Sequence, residues 1–145
     1  MTIRIITWNV NGLRAVINKG ALAPALALTP DILMLQEIKT RPDQLPPEHA
    51  QLWDGYQMQW NPAEKPGYSG VACFCLPPPR EIQVGLGDRR FDAEGRVILL
   101  RYPDFTLINA YFPSGQRDYG RVEFKLEFYA RLLELCDSLH ARGEQ

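Results

Sequence analysis

The chain has 145 residues, 46% of them apolar, which suits one domain with a real core and argues against disorder. Twelve prolines and eleven glycines predict many short elements joined by loops. A formal net charge of −1 excludes a protein that holds nucleic acid by global charge alone. What remains is a local basic patch, or a metal that neutralises a phosphate substrate.

The opening Met-Thr-Ile-Arg runs directly into a strand-like stretch. No charged segment leads into an apolar signal core, and no apolar run approaches ~18 residues. A cytoplasmic chain without a membrane segment is therefore expected. Residues 3–8 read as a buried strand, with β-branched residues at 3, 5, 6 and 7. Asn9-Val10-Asn11-Gly12 is turn chemistry. Residues 13–27 are helix-prone, with Gly20 and Pro24 breaking them into pieces. After a Thr29-Pro30-Asp31 turn, residues 32–35 form a wholly apolar run, as a strand covered on both faces requires. The order strand, helix, strand is a βαβ signal. It leaves Asn9 to Asn11 and Gln36-Glu37 after the carboxyl ends of strands, where sites gather in open α/β sheets.

Residues 56–60, 71–76, 81–86, 96–102 and 105–111 read as five further strands separated by turns, with a tight hairpin at Pro103-Asp104. A long helix closes the chain over residues 120–141, and Gly143 supplies its stop. Val122, Leu126, Tyr129, Leu133, Cys136 and His140 recur at steps of three and four and form an apolar stripe with Glu and Arg opposite. The three cysteines, Cys73, Cys75 and Cys136, have no zinc spacing. Cys73 and Cys75 share one face of an apolar strand and read as buried reduced thiols, which fits a reducing compartment.

Taken singly, the polar residues at strand ends have ordinary explanations. Glu37 could be a solvated loop carboxylate or a hard ligand for Mg²⁺, an ion that takes one or two protein carboxylates and keeps several waters. Asn9 and Asn11 could make Asx turns, or donate from their amides to a phosphate oxygen. Tyr111 could be a rim aromatic, or aim its phenol at developing negative charge.

Their combination is more specific. Thr-Trp-Asn-Val-Asn-Gly-Leu-Arg-Ala (7–15), Leu-Gln-Glu-Ile-Lys (35–39), Gly-Tyr-Ser-Gly-Val-Ala (67–72), Glu-Gly-Arg-Val-Ile (94–98) and Asn-Ala-Tyr-Phe-Pro-Ser-Gly (109–115) occur in order along the chain. This series resembles the exonuclease III and apurinic/apyrimidinic endonuclease branch of the endonuclease–exonuclease–phosphatase superfamily, over nearly the whole chain. The resemblance implies an α/β fold, half of a four-layer DNase I-like sandwich with a mixed sheet and flanking helices. Residues 1–145 would be the amino-terminal part of that domain.

It also implies a Mg²⁺-dependent (or Mn²⁺-dependent) DNA phosphodiesterase of base excision repair. Such an enzyme cuts duplex DNA beside an abasic site, or trims a 3′ end. By position, Glu37 falls on the metal-binding glutamate, with Asn11 supporting the metal. Asn9 and Tyr111 fall on catalytic positions. Lys39, Tyr68, Arg96 and Ser114 fall where relatives meet substrate DNA.

The family's later Gly-Asp-x-Asn strand and terminal Ser-Asp-His are absent from this sequence, and its two histidines, His49 and His140, occupy neither position. The metal half of a site is thus expected without the half that activates water, and the chain alone is expected to be inactive. A non-catalytic split half that binds metal, DNA or a partner is the competing reading. Because the strands are apolar on both faces, an exposed sheet face is expected, covered by the missing second half of the domain or by a homodimer partner.

Overall fold

The computed structural model describes residues 2–116 and 118–145. The strands are β1 (Ile5–Asn9), β2 (Ile32–Gln36), β3 (Gln57–Asn61), β4 (Val71–Cys75), β5 (Glu81–Val84), β6 (Val97–Arg101) and β7 (Thr106–Ala110). The α-helices are α1 (Leu13–Asn18), α2 (Leu22–Ala27), α3 (Arg89–Asp92) and α4 (Tyr119–Ala141). Two 3₁₀ segments, Pro42–Gln44 and Pro47–Trp53, lie between β2 and β3.

One sheet runs β1-β2-β4-β3 and the other β5-β6-β7. β1 and β2 are parallel, as a βαβ unit requires, with Ile5 opposite Ile32 and Asn9 opposite Gln36. All other pairings are antiparallel, so the first sheet is mixed. The β6–β7 hairpin closes through the Tyr102 N–H on the Phe105 carbonyl, 2.9 Å, around Pro103-Asp104. Pro24 sits in the first turn of α2, where its missing N–H has no intrahelical partner to lose.

Three apolar layers follow from the two-residue alternation of the strands. Leu33, Leu35, Ala72 and Phe74 pack outward against Leu13, Val16, Ile17, Leu22 and Trp53. Ile32, Met34, Val71, Cys73 and Cys75 point the other way, onto Ile98 and Leu100 of the second sheet. Val97 and Leu99 cover Phe91, Phe128 and Leu139 on the far side. The result is four layers, helix–sheet–sheet–helix, built within this chain.

This arrangement corrects the expected bare sheet face. The chain contributes strands to both sheets, so the sheet-to-sheet core closes internally. β4 is fully buried along its length, and the ground for a homodimer through that face is removed. What stays open is a flank. β1 and β7 are edge strands of their sheets, and Ile5 is 41% exposed. A cleft of about 250 Å³ lies beside them, lined by Thr7, Gln36, Asn109, Phe112 and Cys136.

The apolar stripe of α4 is also corrected. Val122, Leu126, Tyr129 and Leu133 are exposed, Leu133 at 61%. The helix instead seats Phe128 and Leu139, flanked by Phe124, Leu132 and Leu135, on the second sheet. That second row shares the three- and four-residue spacing, and the aromatic-rich row took the core. Asp118 caps the helix by accepting from the Arg121 N–H at 2.7 Å, and Gly143 at φ 80° ends it. Among the described residues no helix is long and apolar enough to cross a membrane.

Candidate active site

The carboxyl ends of β1 and β2 continue side by side past the sheet. The N–H groups of Val10, Gly12 and Leu13 bond to the carbonyls of Gln36, Glu37 and Ile38 at 3.0, 2.8 and 2.9 Å. A third loop, residues 67–70, is laced to the second through Ile38 N–H on the Gly70 carbonyl and Lys39 N–H on the Ser69 carbonyl. Gly70 (φ 86°) allows this approach, because a Cβ there would lie 2.8 Å from Ile38 Cγ1. The lacing demands unusual backbone. Asn11, Glu37, Lys39 and Ser69 all have φ between 45° and 56°, a conformation side-chain-bearing residues seldom hold. Such strain gathers at functional sites, where surrounding contacts enforce it.

Glu37 is the centre of the cluster, its side chain 18% exposed. Tyr111 donates its hydroxyl to Glu37 Oε1 at 2.5 Å, and Lys39 Nζ lies 3.1 Å from Oε2. The same ammonium donates to Asn11 Oδ1 at 2.6 Å, and the Asn11 N–H donates to Asn9 Oδ1 at 3.0 Å. Burial opposes ionisation of Glu37. The hydrogen bonds from Tyr111, Lys39 and Asn9, with the Lys39 charge, outweigh it and hold the carboxyl below its usual range. Tyr111 moves oppositely: burial, then the bond to Glu37 and its charge, push the phenol up to about 12. It remains a protonated donor at neutral pH.

Tyr111 is itself held from two sides. Its N–H donates to the Arg96 carbonyl at 2.8 Å, and Arg96 Nη1 returns a bond to the Tyr111 carbonyl at 3.0 Å. The guanidinium lies 5.0 Å from the Tyr111 ring centroid and 6.0 Å from that of Tyr68. Arg96 is only 2% exposed, and its remaining donors go to Glu94 (2.7 Å) and the Tyr68 hydroxyl (3.1 Å). Its guanidinium therefore meets the site through the two tyrosines.

Ser114 is exposed and, among the described residues, has no hydrogen bond to the Glu37 cluster; its hydroxyl accepts from the Gln116 N–H at 3.3 Å. Seven of the eight residues singled out from sequence thus fall in one connected network, with Ser114 on the adjoining loop.

Three supporting residues escaped the sequence reading. Glu94 anchors both Arg96 and Arg121, the latter at 3.0 Å, and Arg121 reaches the Tyr68 hydroxyl at 3.3 Å. Burial opposes ionisation of Glu94, but the bonds from Arg121 and Arg96 hold its carboxyl below the usual range. Asn109, 1% exposed, donates across the sheets to the carbonyls of Leu35 (3.1 Å) and Ala72 (2.9 Å) and accepts from Gln36 Nε2 at 2.8 Å. It fixes β7 against β2 and β4, two residues before Tyr111. The available signal was an asparagine inside a strand, which demands buried partners.

The donor set fits a hard divalent cation. Glu37, Asn9 and Asn11 offer oxygens only, and the Lys39 ammonium bridges Glu37 and Asn11 where a cation is stabilised. Among the described residues no group of three or more His, Cys, Asp and Glu could hold a metal. One carboxylate suits Mg²⁺ with retained waters, whereas the multi-ligand cage of a zinc site is not present among them.

Residues 6–144 match the model of the Endonuclease/Exonuclease/phosphatase family. The chain is 39% identical to the DNA repair nuclease APEX1 of Danio rerio, over 98% of this chain and 50% of that protein. It is 37% identical to an exodeoxyribonuclease of Bacillus subtilis, over 90% of this chain and 50% of that protein. Among solved structures, a 3′-5′ exonuclease (NExo) from Neisseria meningitidis superposes with a TM-score of 0.80 at 30% identity, covering 97% of this chain and 54% of that one. An AP endonuclease from Archaeoglobus fulgidus gives 0.75 at 29% identity, covering 90% and 49%. The chain spans about half the length of the curated relatives it matches.

Proposed function

The chain belongs to the endonuclease/exonuclease/phosphatase family, and from that premise we propose that it carries the metal-holding half of a DNA-repair phosphodiesterase. The observation that supports this most is the Glu37 carboxylate, kept ionised and clamped between the Tyr111 phenol and Lys39, beside two asparagine amides. Glu37 and Asn11 would hold Mg²⁺ or Mn²⁺. When bound, the ion supplies Lewis-acid stabilisation of charge on a phosphoryl group. Tyr111, protonated and aimed at the centre, donates to a phosphate oxygen once it leaves Glu37, and Asn9 donates from its amide. Arg96 and Asn109 keep Tyr111 in place. Lys39, Tyr68 and Ser114 face the substrate side.

The relatives' names cover abasic-site endonuclease and exonuclease activities, and one neighbouring structure is a 3′ phosphatase (NExo) bound to a product DNA hairpin. We read the substrate as duplex DNA with an abasic site or a 3′ end. An abasic sugar lacks stacking and pairing, so extracting it costs less than extracting a base. The groups that activate water are assigned to the part of the relatives' length beyond the matched half. The 145 residues alone are expected to be inactive. Three unpaired thiols, with burial pushing Cys73 up to about 12, suit a reducing, cytoplasmic setting.

The test is incision of an abasic duplex by this chain joined to a relative's second half. Cleavage should require the divalent metal and fall at least ~100-fold in Glu37→Gln, the scale of a lost charge-stabilising group. Undiminished cleavage by Glu37→Gln at limiting Mg²⁺ sinks the assignment.

A further inference from the structure

We propose that Lys39 is a built-in counter-cation of the Glu37 centre, resting on the two oxygens that a divalent metal would use and swinging away before such an ion can bind. The proposal rests on the metal reading above. It deepens that reading by naming what the ion competes with, and why the site takes a divalent ion over a monovalent one.

The first observation is where the ammonium sits. Lys39 Nζ lies 3.1 Å from Glu37 Oε2 and donates to Asn11 Oδ1 at 2.6 Å. Those are the carboxylate and the amide assigned to the metal. Mg²⁺ holds its oxygens at about 2.1 Å. An ion drawing on both oxygens therefore falls into the space between them, which the ammonium fills. Partly buried charges are poorly screened, so two cations this close repel strongly. Only one of them can stay.

The second observation is what remains once the ammonium has left. Glu37 Oε1 keeps the Tyr111 hydroxyl. The Gly12 N–H on the Glu37 carbonyl, 2.8 Å, and the Asn11 N–H on Asn9 Oδ1, 3.0 Å, tie the two loops through the backbone. The oxygens are thus positioned by groups other than Lys39, and losing its contacts does not dismantle the site.

The third observation is freedom to move. The Lys39 side chain is 37% exposed, its four-carbon stem is flexible, and its ammonium has no further partner among the described residues. Arg96, the other cation of the network, is the opposite case. It is 2% exposed and held by Glu94, the Tyr68 hydroxyl and the Tyr111 carbonyl. One cation is fixed and one is displaceable.

Selectivity follows from the charges. Replacing the ammonium by K⁺ or Na⁺ leaves the charge beside Glu37 unchanged and gives up two charge-assisted contacts. Replacing it by a divalent ion adds one positive charge against the carboxylate. Lys39 thus sets a threshold that a divalent ion clears and a monovalent ion does not.

The experiment measures Mn²⁺ binding to the 145-residue chain by electron paramagnetic resonance of the free ion, in choline chloride or KCl at equal ionic strength. Wild type should bind equally in both salts. Lys39→Gln and Lys39→Met should bind at least ~10-fold more tightly, and KCl should weaken that binding several-fold. Arg80→Gln removes an exposed cation that no contact links to the site and should bind as wild type, which separates local displacement from a change in net charge. In wild type, the Lys39 ε-CH₂ NMR signal, identified by its loss in Lys39→Arg, should move toward the free-lysine position as Mg²⁺ is added. Equal or weaker Mn²⁺ binding in both variants, the same KCl effect in wild type and variants, or an unmoved lysine signal at saturating Mg²⁺ each overturn the counter-cation and leave Glu37 as a ligand. No saturable binding in any of these chains, or undiminished binding by Glu37→Gln, overturns the metal reading and the proposal with it.

Discussion

The loops around Glu37 and the outer face of α4 lie on the same molecule and could hardly be finished more differently. Around Glu37 the polar side chains, Ser114 excepted, are linked into one network: the carboxylate to Tyr111 and Lys39, the tyrosine to Arg96, the arginine to Glu94. On α4, Val122, Leu126 and Leu133 are exposed, and the edges of β1 and β7 lie open nearby. A polar site is completed locally because buried charges and amides are costly unless paired. Apolar surface can wait for a partner, since its exposure costs only on the order of 25 cal/mol per Å². The Glu37 network is thus preorganised within these residues, while the flank keeps its apolar surface exposed.

The largest effect should come from breaking the network at its most buried member. Arg96→Leu leaves Glu94 without one partner and Tyr111 without its support, and should cost about 3–5 kcal/mol of stability in denaturant unfolding. A loss below ~1 kcal/mol would mean that the network is surface decoration.

Next in size is Tyr111→Phe, which keeps the ring and deletes the donor. In the chain joined to a relative's second half it should raise the activation free energy by roughly 2–4 kcal/mol, measured as kcat, while the melting temperature barely moves. The same variant gives a titration signature in the isolated chain. Without the phenol, burial acts on Glu37 with less opposition, so the carboxyl observed by NMR should titrate at higher pH than in wild type. An unmoved Glu37 titration would separate the two residues.

A smaller effect concerns acid. Glu37 and Glu94 are both held below the usual carboxylate range. A depressed folded-state value gives stability that is present above the unfolded value of ~4.3 and is lost as pH falls through the folded one. Stability should therefore decline below about pH 4, and Glu94→Gln should be less stable at neutral pH but flatter across that window. An equal slope in the variant would remove Glu94 from the account.

Much of this was legible in the amino-acid pattern, and the failures have physical reasons. The β-branched run before Asn9 and the apolar run before Glu37 located two strands, with the polar cluster of the candidate site at their ends. The αL backbone at Asn11 and Glu37 was not legible, since it is imposed by loops joining from elsewhere in the chain. Arg96 was read as a substrate-side residue, but its environment depends on two tyrosines that sequence separation hides, besides the neighbouring Glu94. On α4 two rows share one periodicity, and only the rotation of the helix on its sheet chooses between them. Strands apolar on both faces announce that cover is needed without saying that this chain provides it.

The smallest effect sharpens the contrast from the other side. Leu126→Gln/Leu133→Gln should leave the stability of the isolated chain within about 0.5 kcal/mol of wild type, because both side chains are already exposed. A loss above ~1 kcal/mol would mean that the outer face of α4 is part of the finished core after all.

The most direct test of the proposed metal site is Mn²⁺ binding to the 145-residue chain, followed by electron paramagnetic resonance of the free ion. One site is predicted, abolished in Glu37→Gln, weakened in Asn11→Ala, and unchanged in Asp43→Asn, an exposed carboxylate on the neighbouring 3₁₀ turn. Binding by Glu37→Gln equal to wild type would contradict the assignment of this carboxylate as the metal ligand.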